Sequence, residues 1–298
     1  MGHVFQTTSQ RGLNHNLPPM RLWHKAKKLG TWDPRAISLD RDIKDWRALS
    51  PDQRDLIVRL TSLFQAGEEA VTLDLLPLIM VVAEEGRLEE EMFLTAFLWE
   101  EAKHVEAFRR FLDEVVCTHE DLSHYHTPNY SRIFYRELPA ALNRLRHDSS
   151  PQAQAEASVT YNLIVEGVLA ETGYHAYHAI LKRNDLLPGM LQMMEYLKRD
   201  ESRHLAYGVY LLSRLVIEHG DPIWNAIERR MGELLTPAIE VVNELFEAYP
   251  VLPFDLQVDE FIAFAMAQFQ ARSSRIEKAR GQTLEQLNRV DELEQMPV

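Results

Sequence analysis

The stretch "FLWEEAKHVEAF", residues 97–108, sets a run of charge inside an otherwise apolar segment. On a helix, Phe97, Leu98, Val105 and Phe108 point towards a core, and Glu101 and His104, three residues apart, share the side of Phe97 and Phe108. A carboxylate turned inward costs several kcal/mol unless it is neutralised, paired or bound to metal. The pair therefore needs partners elsewhere in the chain.

The pattern recurs in "LKRDESRHLAYG", where Glu201 and His204 again stand at i, i+3. With 29 glutamates and 12 histidines in 298 positions, about one such pair is expected by chance, so the count alone decides little. Placement decides more. Each pair sits mid-helix, and each follows a long helix carrying a solitary glutamate. "SLFQAGEEAVTLDLL" offers Glu68, 33 residues before Glu101, and "YNLIVEGVLAETGYHAY" offers Glu166, 35 residues before Glu201. Glu69 and Glu100 compete with Glu68 and Glu101, but the glycine before Glu68 and the apolar phase through Phe97 and Phe108 favour the latter two. Glu166 is the most telling, because Leu163, Ile164, Val165, Val168 and Leu169 surround it. In outline the chain is an internal duplication: Glu on one helix, Glu-x-x-His on the next, twice.

The rest of the chain supplies those helices. Ser50-Pro51-Asp52 is an N-cap with proline at the first helical position, opening a segment to about Glu85 that Pro77 should kink. Further helices are predicted over about Leu88–Val116, Ser131–Arg146, a Ser-Pro start near Pro151 running to Arg183, Met190–His219, Ile223–Ala248 and Leu256–Arg280. Residues 1–35 read as an extended arm rich in Pro, Gly and Asn, and residues 281–298 as a polar tail. No strand and no long linker appears, so residues 1–298 are expected to form a single all-α domain.

Composition narrows the function. A net charge of −13 argues against nucleic acid or an anionic membrane as the main partner. No apolar run reaches a membrane span and the N-terminus lacks a secretory h-region. One cysteine, Cys117, excludes an internal disulfide and thiolate metal sites, and a cytoplasmic protein is expected.

Four helices bearing Glu, Glu-x-x-His, Glu and Glu-x-x-His are the ligand set of a dinuclear carboxylate site in a four-helix bundle. Four carboxylates balance two divalent metals, so a buried site is neutral when reduced. Hard oxygens with one imidazole per metal suit iron or manganese. His175 and His178 lack a glutamate three residues before them and read as residues that support the ligands from behind or pack. His119, His124 and His126 fall in a loop.

The segments "WEEAKH", "DESRH" and "YNLIVEGVLAETGYHAY" resemble the ferritin-like branch that contains ribonucleotide reductase small subunits. Within it they look most like the small-subunit-like ligand-binding oxidases, over roughly residues 20–280. The resemblance implies a ferritin-like four-helix bundle with additional helices, and a homodimer. It also implies Glu68, Glu101 and His104 around manganese and Glu166, Glu201 and His204 around iron, with di-iron as the alternative. Nothing in the spacing itself selects the metals. It further implies O2 as oxidant, a long-chain fatty acid near the metals, and an ether crosslink between Val71 and Tyr161. Leu73, Leu76, Phe97, Val165 and Leu169 are candidates to line a channel for the acid.

Two departures separate the chain from a standard reductase subunit. Phe108 stands where a radical-storing tyrosine would, and no tyrosine follows Tyr249. Asp200 does match the reductase pattern, in which it orients His104 by a hydrogen bond. The expected function is an O2-activating dinuclear oxidase performing two-electron C–H oxidation. The alternatives are a reductase small subunit of the phenylalanine type, and a non-catalytic iron store or lipid carrier.

Overall fold

Each regular element among residues 5–289, the part the computed structural model describes, is a helix. In chain order they are α1 (Pro18–Leu29), α2 (Asp40–Ala48), α3 (Pro51–Asp74), α4 (Leu76–Glu84), α5 (Leu88–Phe111), α6 (Pro128–Arg132), α7 (Leu138–Arg144), α8 (Pro151–Ser158), α9 (Glu171–Arg183), α10 (Pro188–His219), α11 (Asp221–Phe246), α12 (Val258–Lys278) and α13 (Leu284–Arg289). The π-helical segment Val159–Ala170 joins α8 to α9 without a break, so the predicted third long helix exists as one composite rod.

The local chemistry explains the boundaries. Ser50 Oγ accepts from the Gln53 amide, and the Ser50 amide donates back to the Gln53 side chain at 2.9 Å, a capping box that starts α3. Ser150 Oγ accepts from the Ala153 amide and caps α8 at its Ser-Pro start. Three glutamates in the first turn of α5 and two arginines in its last oppose the helix dipole. Pro77 does not kink a continuous helix. The helix is interrupted at Leu75, whose dihedrals stay helical, and Pro77 falls in the first turn of α4, where its missing N–H is no loss.

The arm at residues 1–35 carries α1, which no period in the sequence announced. α1 lies across α5 and α10 and buries Met20, Leu22 and Ala26. α2, also unannounced, caps the N-terminus of α10: the Gly189 amide donates to both oxygens of buried Asp42, at 2.8 and 3.0 Å. Within the predicted tail, α13 buries Leu287, and residues 290–298 lie outside the described part.

Four rods surround the centre: α3 against α5, the composite α8–α9 against α10, and α5 against α10, with α11 and α12 backing the π-helical segment. This is the all-α four-helix bundle with additional helices that the sequence predicts. Gly208 of α10 lets that helix press onto the π-helical segment, since a Cβ there would lie 2.3 Å from the Asn162 Cβ. Among the described residues, no helix is long and apolar enough to cross a membrane.

Candidate metal centre

The four rods bring all six predicted residues together, and each is at most 5% exposed: Glu68 from α3, Glu101 and His104 from α5, Glu166 from the π-helical segment, Glu201 and His204 from α10. They form two overlapping quartets, Glu68/Glu101/His104/Glu201 and Glu101/Glu166/Glu201/His204, with candidate ligand atoms within 4.8 Å of one another in each. Glu101 and Glu201 belong to both.

Their oxygens are divided between the two halves. Glu101 presents Oε2 to His104 Nδ1 at 3.6 Å and Oε1 to His204 Nδ1 at 3.2 Å. Glu201 presents Oε1 to His104 Nδ1 at 3.3 Å and Oε2 to His204 Nδ1 at 3.4 Å. Glu68 stands 3.4 Å from His104 Nδ1 and Glu166 3.7 Å from His204 Nδ1, so each half has one terminal carboxylate. The six residues thus offer two ligand sets, each with one imidazole and one carboxylate of its own, that share Glu101 and Glu201.

A fit test lies in the atoms left over. Glu101 Oε2, His104 Nδ1, Glu166 Oε1, Glu201 Oε2 and His204 Nδ1 are buried and have no hydrogen-bond partner in the protein. Buried polar atoms are ordinarily satisfied, and these five converge on one place. The donor set, carboxylate oxygen and imidazole without thiolate, suits hard to borderline divalent ions. The residues fit a metal pair.

Protons balance the charge otherwise. Burial pushes Glu68 up to about 8 and Glu166 well above the usual carboxylate range, the latter with help from Glu201. Burial would lower both imidazoles, but the carboxylates more than reverse it, Glu68 chiefly for His104 and Glu201 for His204. Burial would raise Glu101 too, yet the two imidazoles hold it below its ordinary value.

The outer nitrogens of the imidazoles are held crosswise. His104 Nε2 lies 3.4 Å from Asp200 Oδ2, on α10, as the sequence predicts. His204 Nε2 lies 3.0 Å from Glu100 Oε2, on α5. Glu100 is thus no competitor of Glu101 but the counterpart of Asp200. One atom joins them: Arg203 Nη2 donates to Glu100 Oε1 and to Asp200 Oδ1, both at 2.5 Å. Asp200 also accepts from Trp32 Nε1 at 2.7 Å and Lys103 Nζ at 3.0 Å. Although burial would raise Asp200, His104, Arg203 and Lys103 keep it well below the usual range. Gly30 is required here, because a Cβ would sit 2.0 Å from Glu100 Oε1. The sequence held a signal for this network: "EEAKH" and "DESRH" are both acid-Glu-x-base-His.

Three hydroxyl and amide groups complete the surroundings. Tyr161 donates to Glu101 Oε1 at 3.3 Å, Asn162 Nδ2 to Glu166 Oε2 at 2.8 Å, and Tyr174 to Glu68 Oε1 at 3.1 Å. Tyr174 was not foreseen. Phe108 is fully buried and stacks on Phe64 with centroids 5.0 Å apart. His175 stacks on Phe264 away from the cluster, a packing role as predicted. His126 departs from a purely solvated loop: it contacts Ser62 Oγ at 3.2 Å and the Tyr135 hydroxyl at 2.8 Å.

An apolar, partly open cavity reaches the carboxylates between α3, the π-helical segment, α9 and α11. Val71, Val165 and Leu169 line it. Leu73 and Leu76 do not: lying beside the interruption at Leu75, they are exposed. Phe97 is spent on the site itself, stacked on His204 at 3.6 Å.

The ribonucleotide reductase small-chain family model matches residues 19–269. The chain belongs to that family, among its R2-like ligand-binding oxidases. It is similar to the structure of a tyrosine-to-phenylalanine variant of such an oxidase with an anaerobically reconstituted Mn/Fe cofactor: 39% identity, TM-score 0.86, covering 92% of this chain and 98% of the other. A valine-to-isoleucine variant with an aerobically reconstituted Mn/Fe cofactor gives 38% identity and TM-score 0.88 over 92% and 99%. The R2-like relatives thus carry a metal pair, and the chain has a buried carboxylate and imidazole cluster fitted to hold one.

Proposed function

We propose that the protein is a dinuclear manganese–iron oxidase. Glu68, Glu101 and His104 would hold manganese and Glu166, Glu201 and His204 would hold iron, with Glu101 and Glu201 common to both ligand sets. The observation that carries the reading is the convergence of five unsatisfied buried atoms on the place where two ions would sit. The Mn/Fe cofactor of the R2-like relatives supports the choice of metals. Bound there, the pair supplies O2 activation and the oxidising power to break a C–H bond by removal of two electrons.

The protein's own residues direct that power. Asp200 and Glu100 fix the tautomer and orientation of His104 and His204, leaving each Nδ1 free for a ligand bond. Phe108 offers no phenol to store an oxidising equivalent. Apolar walls keep water from the carboxylates, and the cavity takes a long-chain fatty acid with its head group at the metals.

Val71, on the cavity wall, presents a tertiary Cβ–H, and Tyr161 holds its phenol at Glu101. Loss of one hydrogen from each joins Val71 Cβ to Tyr161 Oη as an ether, the two electrons passing to O2. Residues 1–298 act as one ferritin-like domain, in a cytoplasmic homodimer. Intact mass of anaerobically loaded protein, before and after air, tests the reading. Loss of two hydrogens in the wild type, abolished in Tyr161→Phe, is expected; an unchanged wild-type mass overturns the crosslink. Binding to a large reductase subunit would favour the phenylalanine-type reductase instead.

A further inference from the structure

One polar group on the cavity wall is satisfied by nothing in the protein. Thr172, in the first turn of α9, lines the cavity, is 3% exposed, and its Oγ1 has no hydrogen-bond partner. Helical threonines commonly satisfy themselves by donating to the carbonyl four residues back. Thr61, Thr72 and Thr160 do so here, at 2.6–2.7 Å. Thr172 makes no such bond to Val168 O. The wall around it, Leu169, Ala170, Ala176 and Phe261, offers no polar side chain. The cavity's other polar side chains are the four glutamates at the metal end and Tyr130, whose hydroxyl donates to Leu63 O at 2.7 Å. A buried hydroxyl left unpaired is costly, so its natural partner is the occupant of the cavity.

We propose that the cavity's ligand is an acyl chain oxygenated near its middle, and that Thr172 Oγ1 hydrogen-bonds the chain's hydroxyl or carbonyl. The inference rests on the fatty-acid reading above and adds to it a substrate class and a specificity-determining residue. Thr172 lies six residues beyond Glu166, about 8 Å along the helix axis. An extended chain with its carboxylate at the metals covers that distance in roughly six carbons.

The test uses the metal-loaded full chain and measures binding of hexadecanoate and of its mid-chain hydroxy derivatives, one position at a time. The wild type should bind the derivative hydroxylated near the sixth carbon about tenfold tighter than hexadecanoate. Thr172→Val, which keeps the shape and removes the hydroxyl, should lose that preference and bind hexadecanoate tighter than the wild type does. Thr172→Ser should retain the preference. Equal affinity for all chains in the wild type and in Thr172→Val overturns the proposal and leaves the fatty-acid reading standing. Failure of every chain to bind overturns both.

Discussion

Loading the centre with metal should expel protons, in a number set by the buried charge. Four carboxylates in a dry site need four positive charges, supplied either by two divalent ions or by protons. Without metal, His104 and His204 hold their protons, Glu68 is pushed up to about 8, and Glu166 lies well above its ordinary range. Coordination requires neutral imidazoles and ionised carboxylates. Binding two divalent ions at pH 7 should therefore release about four protons, one from each of these residues, or about two per ion. Affinity should rise with pH, by about two log units per pH unit for each ion, and about half as steeply above pH 8 for the ion beside Glu68, which then ionises unaided. Anaerobic calorimetry in two buffers of different ionisation enthalpy counts the protons directly. The same linkage fixes the sign of stability. All four folded values lie above the unfolded ones, so the metal-free protein should lose stability as pH rises towards and past 8, and the loaded protein should not. Stoichiometric binding with fewer than about one proton released per two ions, or an affinity flat between pH 6 and 8, would refute this account of the site.

Three further outcomes follow from named contacts. Glu100→Ala frees His204 Nε2 and should weaken the second site by about 10–100-fold while sparing the first, whereas Asp200→Ala should do the reverse; metal analysis of each variant under limiting metal reads the difference. Arg203→Met removes the donor shared by Glu100 and Asp200 and should weaken both sites together, with helical content unchanged by circular dichroism. Asp74, buried at the C-terminal end of α3, is pushed up to about 6 by burial. Its penalty grows as pH rises from 3.8 to about 6 and is complete above that, so Asp74→Asn should stabilise the protein by about 1–3 kcal/mol at pH 7.5 and by nothing near pH 4, as urea unfolding would report.

How far the sequence carries depends on whether a feature is written on one helix or between helices. Glu166 was legible because a carboxylate in an apolar run announces its own cost. The N-caps at Ser50 and Ser150 were legible because a serine before a proline satisfies the helix start locally. α1 was not: a short segment opening on Pro18-Pro19 becomes a helix by docking Met20, Leu22 and Ala26 on α5 and α10. The π-helical segment Val159–Ala170 was not legible either, since the wider turn is imposed by what surrounds it. It points Tyr161 and Asn162 at Glu101 and Glu166.

Glu100 is the sharpest case. On α5 alone it is the residue beside Glu101 on the wrong phase for the shared core. Its role exists only when α10 lies alongside and presents His204 Nε2. Yet the duplication contained the answer: if Asp200, preceding Glu201, orients the histidine of the opposite helix, then Glu100, preceding Glu101, must do the same for its own opposite. The two basic residues before the histidines complete that logic, because acids buried behind each imidazole need cations, and Lys103 and Arg203 are those cations. A repeat found for its ligands should therefore be read outward by one residue on each side, since a buried metal site is built with its counter-charges.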